Sequence, residues 1–206
     1  MPRWSVEGRR IIDDDGTIKR RPLDHGRFLP ATRGSGLGSD DTFEQIEGLL
    51  NQVEIVLSGN SVTITDSGAN GAHGSLTLFT CPLGLVQVFG AYASLTITAG
   101  DGGIADAAEV VAAIGTTATA TDDASLTGTE ADIVASTAMT LSGGTNGPTK
   151  LLSTDSETPA IFDGTSTAVA PKLNFAVPAD DASDDDTLSV DGEILITWLA
   201  FGPHDL

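Results

Sequence analysis

From Val53 onward, apolar and polar residues alternate with a period of two. Val53, Ile55 and Leu57 share one phase and Val62 and Ile64 the other, with Gly59-Asn60 between them. Such alternation sets one face of a strand in a core and the other toward solvent, and the Gly-Asn pair predicts a hairpin. A polar loop over residues 66–74 separates this hairpin from a strand that begins with Leu76 and Leu78. The stretch 85–98 is long, with Val86, Val88 and Tyr92 on one phase and Leu95 and Ile97 on the other. The phase change near Gly90 predicts a bulge or bend. Leu173, Phe175 and Val177 mark a further strand, and Leu188, Val190, Ile194, Ile196, Trp198 and Ala200 share one face of the last. Residues 109–119 fit a helix by their Ala-rich start and a strand by their Thr-rich continuation; residues 126–141 are equally open. Seven or more short strands between Gly, Asp and Pro turns predict an all-β fold with an antiparallel β-sandwich or jelly-roll body.

Two segments depart from this pattern. In residues 39–50, Phe43, Ile46, Leu49 and Leu50 recur at helical spacing, and Asp41 with Glu44 has the capping-box spacing. One short helix is therefore expected where the body begins. Residues 1–38 show neither period. Pro2, Pro22 and Pro30 interrupt them, and single apolar residues (Trp4, Ile11, Ile12, Ile18, Leu23, Phe28, Leu29) punctuate them. This predicts an extended N-terminal arm that is ordered by docking along another surface. Asp15-Gly16 between Ile11-Ile12 and Ile18 is a local hairpin signal, and the glycines from Gly34 to Gly38 read as a flexible joint to a body spanning 39–206.

Charge sharpens the division. Eight of the ten basic residues (Arg3, Arg9, Arg10, Lys19, Arg20, Arg21, Arg27, Arg33) lie in the first 33 positions, beside five acids, for a net +3. From Gly34 onward two lysines face 24 acids, for a net −22, and the two parts sum to −19. An acidic body keeps itself soluble and repels phosphate, which argues against nucleic-acid binding; a basic, apolar-spotted arm has the composition of a docking segment. Aromatic residues make up only 5%, so the core must be built from Val, Ile, Leu and Ala. No apolar run approaches the ~18–20 residues of a membrane span, and no signal-peptide pattern opens the chain. Synthesis in the cytoplasm and no membrane partner are expected.

Candidate chemistry is sparse. Cys81 is the single cysteine, so neither an intrachain disulfide nor a cysteine-based metal site is available. His73 is near it in sequence, and a hydrolase would need the two in contact with a carboxylate. His25 and His204 sit in no recognisable motif, and there is no Gly-x-Ser-x-Gly elbow. The acidic run Asp180-Asp181 and Asp184-Asp185-Asp186 reads as a solvated hairpin tip, with a hard cation such as calcium as the alternative. Asp13-Asp14-Asp15-Gly16 resembles part of a calcium loop more weakly. No metal, cofactor or catalytic residue is assigned, and the chain is expected not to be an enzyme. For a carbohydrate-binding or fibre-type adhesion module, the aromatic candidates are Trp4, Tyr92 and Trp198, the last on the apolar face of its strand.

The second half carries a family resemblance. The run from Gly115-Thr116-Thr117-Ala118-Thr119 through Leu126-Thr127-Gly128-Thr129-Glu130 to Ile133 resembles a segment of small structural proteins of tailed bacteriophages. Phe162-Asp163-Gly164-Thr165, Leu173-Asn174-Phe175-Ala176-Val177 and Ile194-Leu195-Ile196-Thr197-Trp198 extend the likeness over roughly residues 53–202. These proteins are similar to capsid decoration, or cement, proteins. The resemblance implies a homotrimer with a β-rich body, seated on the outer capsid surface of the virion and bound to the major capsid protein. The arm lies outside the resembling stretch. From charge and pattern alone, Trp4, Arg9, Arg10, Arg20, Arg21, Arg27, Phe28, Leu29 and Arg33 are the candidate capsid-binding or inter-subunit residues.

Overall fold

The computed structural model describes residues 5–7, 10–12, 18–19, 31–46, 50–100, 102–119, 125–152 and 160–201. Strands β1 (Ser5–Glu7), β2 (Arg10–Ile12) and β3 (Ile18–Lys19) pair antiparallel with one another in a small sheet of their own. Ile12 stands opposite Ile18, the pairing that the Asp15-Gly16 signal predicts.

The body is two antiparallel sheets that meet at their ends. After β4 (Thr32–Arg33) and β5 (Thr42–Ile46) come β6 (Asn51–Asp66), β7 (Ala72–Thr77), β8 (Phe79–Thr80) and β9 (Gly84–Ala99). Then follow β10 (Glu109–Gly115), β11 (Val134–Thr140), β12 (Thr145–Leu152), β13 (Ala160–Gly164), β14 (Lys172–Val177) and β15 (Asp186–Phe201). The first sheet runs β5-β6-β15-β9, and the far edge of β9 is shared by β13 and β12 in tandem. The second runs β11-β10-β14-β7. A short corner at Thr65–Asp66 against Ala72–His73 joins β6 to β7, and Gly143-Gly144 turn β11 into β12. The result is a nearly closed, sandwich-like body, the all-β class expected from the alternation.

Three 16-residue strands, β6, β15 and β9, form the spine. On β15 the six residues from Leu188 to Ala200 that share a phase are all buried, as the pattern predicts. They face Leu76, Ile114, Leu173, Phe175 and Met139 of the second sheet within one apolar cluster. Phe43, Phe79 and Trp198 stack in a tilted row at one end, with ring centroids 6.3 and 6.2 Å apart. The open segments 109–119 and 126–141 both supply strands.

Four expectations are corrected. The helix over 39–50 is absent: Thr42–Ile46 is a strand paired with β6. Its inward positions, Phe43 and Gln45, alternate with exposed Thr42 and Glu44, so period two overrides the helical spacing. A three-turn helix is marginal by itself, whereas pairing along β6 supplies partners for the backbone groups on the edge that faces it. Second, Gly59-Asn60 is no hairpin turn. The strand runs straight through, with Asn60 opposite Val190 and Leu57 opposite Gly192, so that one extra residue bulges. Gly59 takes φ +60° there, and buried residues shift from odd to even positions. Third, β9 bulges at Phe89-Gly90 as expected, but Tyr92 falls on the outer phase beyond it and is half-buried rather than grouped with Val86 and Val88. Fourth, the loop over 66–74 is shorter, because β7 begins at Ala72.

β14 is buried on both faces. Its outer face is covered by residues 116–119 and 125–133: Asn174 Nδ2 donates to Thr117 O at 2.9 Å and to Glu130 O at 2.8 Å, Ser75 Oγ donates to Asn174 Oδ1 at 2.7 Å, and Thr119 N–H donates to Ser75 Oγ at 3.0 Å. Ala113, Leu126 and Ala176 fill the space beneath.

Candidate functional site

The junction between arm and body is built rather than loose. Residues 31–38, assigned to the arm by sequence, pack on the body. Gly34 N–H donates to Leu78 O at 2.9 Å, and a Cβ added at Gly34 would stand 2.0 Å from Thr77 O. A Cβ at Gly36 would stand 2.5 Å from Leu76 Cδ1, and Leu37 is buried in the main apolar cluster. These glycines permit close backbone approach, which is a different use of glycine from flexibility.

Asp41 fastens the turn. Its carboxylate accepts from Gly38 N–H at 2.7 Å and Ser58 N–H at 2.8 Å, and from Asn60 Nδ2, which also donates to Gly36 O at 3.2 Å. Arg33 closes the loop from outside: its guanidinium donates to Leu37 O at 3.1 Å, to Gly38 O and, at 3.5 Å, to Asp41 O. Backbone pairing of Thr32–Arg33 with Phe79–Thr80 adds a second hold, and Ala31 N–H donates to Gln45 Oε1 at 2.8 Å. Arg33 is thus tied by its backbone to Phe79, a member of the aromatic row.

Of the candidate arm residues, Arg33 is therefore an anchor with its donors engaged within the chain. Arg10 sits in β2, opposite Glu7. Trp4, Arg9, Arg20, Arg21, Arg27, Phe28 and Leu29 lie outside the described residues, as do His25, His204 and the Asp13–Gly16 run. No sequence signal marked Asp41 and Asn60 as the fastening of the junction, since Asp41 reads equally well as a helix cap.

The acidic run works as a set of backbone acceptors. Asp181 Oδ2 accepts from Glu109 N–H at 2.9 Å, Asp185 Oδ1 from Asp66 N–H at 2.8 Å and Asp186 Oδ2 from Ile104 N–H at 3.0 Å. These bonds tie the end of β6, the start of β10 and the loop at Ile104 to the segment that leads into β15, while Asp180, Asp184 and Asp185 stay exposed as a solvated turn implies. Among the described residues, no group of three or more His, Cys, Asp or Glu side chains is placed to hold a metal ion.

Other titratable groups have structural settings. Cys81 is buried, and desolvation pushes its thiol up to about 12, so no thiolate is present at neutral pH. Its N–H donates to Val169 O, while His73 Nδ1 meets Ser67 Oγ at 3.2 Å. Burial raises the Asp132 carboxyl despite two hydrogen bonds from Thr116 that oppose the shift. Hydrogen bonds from Thr165 hold Asp163 below the ordinary carboxylate range, and desolvation lowers the Lys172 amine. Trp198 is fully buried in the aromatic row, and Tyr92 is half-buried on the outer face of the first sheet.

No family model matches the chain, and no curated protein does. Among solved structures, it is similar to the N-terminal modules (CBM22-1–GH10) of Clostridium thermocellum endo-1,4-β-D-xylanase 10B complexed with xylohexaose, at 14% identity and a TM-score of 0.25, covering 81% of this chain and 26% of that one. It is also similar to the structure of infectious bursal disease virus, Gx strain, at 12% identity and a TM-score of 0.25, covering 85% of this chain and 32% of that one. The chain thus spans about a quarter to a third of the length of each. At this TM-score neither likeness bears on what this chain does.

Proposed function

We propose that this chain is a structural virion protein of the tailed-phage decoration kind. It binds the outer surface of a capsid as a homotrimer and reinforces the shell by bridging major-capsid subunits through its N-terminal arm. The observation that carries this reading is the locked junction. A basic, apolar-spotted arm is of mechanical use only if load on it reaches a core, and Arg33, Gly34, Asp41 and Asn60 provide that path. The acidic body faces solvent, and arm arginines pair with shell carboxylates through two-pronged hydrogen bonds. The resemblance over residues 53–202 supports the same assignment. In this reading the role is mechanical and requires neither cofactor nor catalysis.

The test uses the full chain and capsids stripped of it. Reversing Arg9, Arg10, Arg20 and Arg21 to Glu is expected to lower co-sedimentation with capsids at least tenfold, equivalent to about 1.4 kcal/mol, while circular dichroism stays unchanged. Light scattering of the free protein is expected to give three times 21.0 kDa. Undiminished binding by the reversed chain refutes the arm's role, and a monomeric mass refutes a preformed trimer. The carbohydrate-binding alternative loses Trp198 to the core, which leaves half-buried Tyr92 as its described aromatic candidate.

A further inference from the structure

The outer face of the first sheet carries an apolar corner. Leu199 pairs with Gln87 and Gln87 with Ile161; Phe201 pairs with Leu85 and Leu85 with Asp163. Residues directly opposite in antiparallel strands share a face. This face is the reverse of the one through which Val86, Val88, Trp198 and Ala200 enter the core. Ile161 is 66% exposed, Leu83 50% and Phe201 38%, and these are the exposed large hydrophobic residues among those described. Ile161 and Phe201 sit on the two strands that flank β9, each about 4.8 Å from it, and Leu83 lies just before the start of β9. Half-buried Leu85 and Leu199 connect them. Single exposed hydrophobics are ordinary, but a cluster at one corner of a sheet marks a contact surface.

The chemistry of the corner selects what covers it. Asp163 stands within the lower row and is open to solvent, and the body around it nets −22 from Gly34 onward. A second body placed face to face would bring like charge against like. The complementary part of the chain is residues 1–30. There, Trp4, Ile11, Ile12, Ile18, Phe28 and Leu29 are interspersed with seven basic residues against five acids, a net +2. Reach is no obstacle. Ala31, where the described body begins, is bonded to Gln45; Gln45 pairs with Val53 and Val53 with Ile196, a few residues along β15 from Phe201. The eleven residues between β3 and Ala31 can by themselves span up to about 40 Å.

We infer that residues 1–30 cover the corner formed by Leu83, Leu85, Ile161, Leu199 and Phe201, with apolar arm residues on the leucines and the phenylalanine and an arm cation beside Asp163. This describes the chain free of a capsid, and it does not rest on the proposed virion role. The test places the photoreactive residue p-benzoylphenylalanine at position 161 of the full chain. After irradiation, mass spectrometry is expected to find its crosslinks in peptides from residues 1–30. An equal mixture of 14N- and 15N-labelled chains tells whether the arm belongs to the same copy or a neighbour. Crosslinks confined to positions beyond 31, or none, overturn the inference. As a second readout, Ile161→Cys or Phe201→Cys is expected to react with a maleimide at least tenfold more slowly than free cysteine, and faster in 1 M salt. Buried Cys81 gives little background. Labelling at the rate of free cysteine overturns the inference as well.

Discussion

Asp132 shows how one side chain sets a pH response. Its folded pKa is raised, chiefly by desolvation. The folded state therefore binds this proton more tightly than the unfolded chain does. The resulting stabilisation is complete below the unfolded pKa and is lost as pH rises through the folded one. Asp132→Asn keeps an acceptor for the Thr116 N–H and removes the charge. It is expected to melt higher than the parent at pH 7, with the difference shrinking toward pH 3, as read by thermal scans across pH. A constant difference would mean that the substitution acts through packing alone. Residue identity was legible where hydrophobicity decides the outcome: Trp198 and Cys81 are buried as their surroundings in the sequence imply. It was illegible where one polar side chain serves distant backbone groups. Nothing near Asn174 announces that it holds residues 117 and 130, because those partners are adjacent only after β10 and β14 have paired.

At the scale of elements, the bulges explain both the successes and the errors of the sequence reading. A phase change in a period-two pattern has two physical causes, a turn or an inserted residue. At Gly59 the two look alike in sequence, and only the continuous β15 opposite shows which one holds. At Gly90 the surrounding pattern is long enough to mark a bulge directly. β5 was misread because the four apolar positions over 39–50, two of them within β5, satisfy a helix, and the pairing edge of β6 that recruits it lies later in the chain. β15 tolerates its neighbours' bulges partly through Gly192, whose φ is +142° and where an added Cβ would stand 2.1 Å from Ser94 O. Gly192→Ala is expected to destabilise the body by about 2–4 kcal/mol, combining backbone strain with the clash. Gly147→Ala, on β12 with nothing within 4 Å of the added Cβ, is expected to be near neutral. Chemical denaturation of both variants makes the comparison, and equal effects would contradict this account of the spine.

For the whole molecule, charge dominates. Both the −22 of the body and the basic arm were legible in the sequence, because composition survives folding unchanged. The fastening of residues 33–41 by Arg33 and Asp41 was not, since it depends on where the glycines let the backbone approach. A body with this charge repels itself, and screening relieves the repulsion. Raising NaCl from 10 mM to 500 mM is therefore expected to raise the melting temperature, measured by circular dichroism. A fall would mean that salt-sensitive attractions outweigh self-repulsion.

The place of β15 in the first sheet also governs the order of assembly in time. It lies between β6 and β9, yet it is synthesised after both, with some 120 residues separating it from β6. On a ribosome, two of the three long strands must wait, apolar faces uncovered, for the one that fits between them. Contacts of such separation close slowly, on the millisecond-to-second scale of all-β domains. For that interval the nascent chain's own negative charge opposes contact of those faces with other copies.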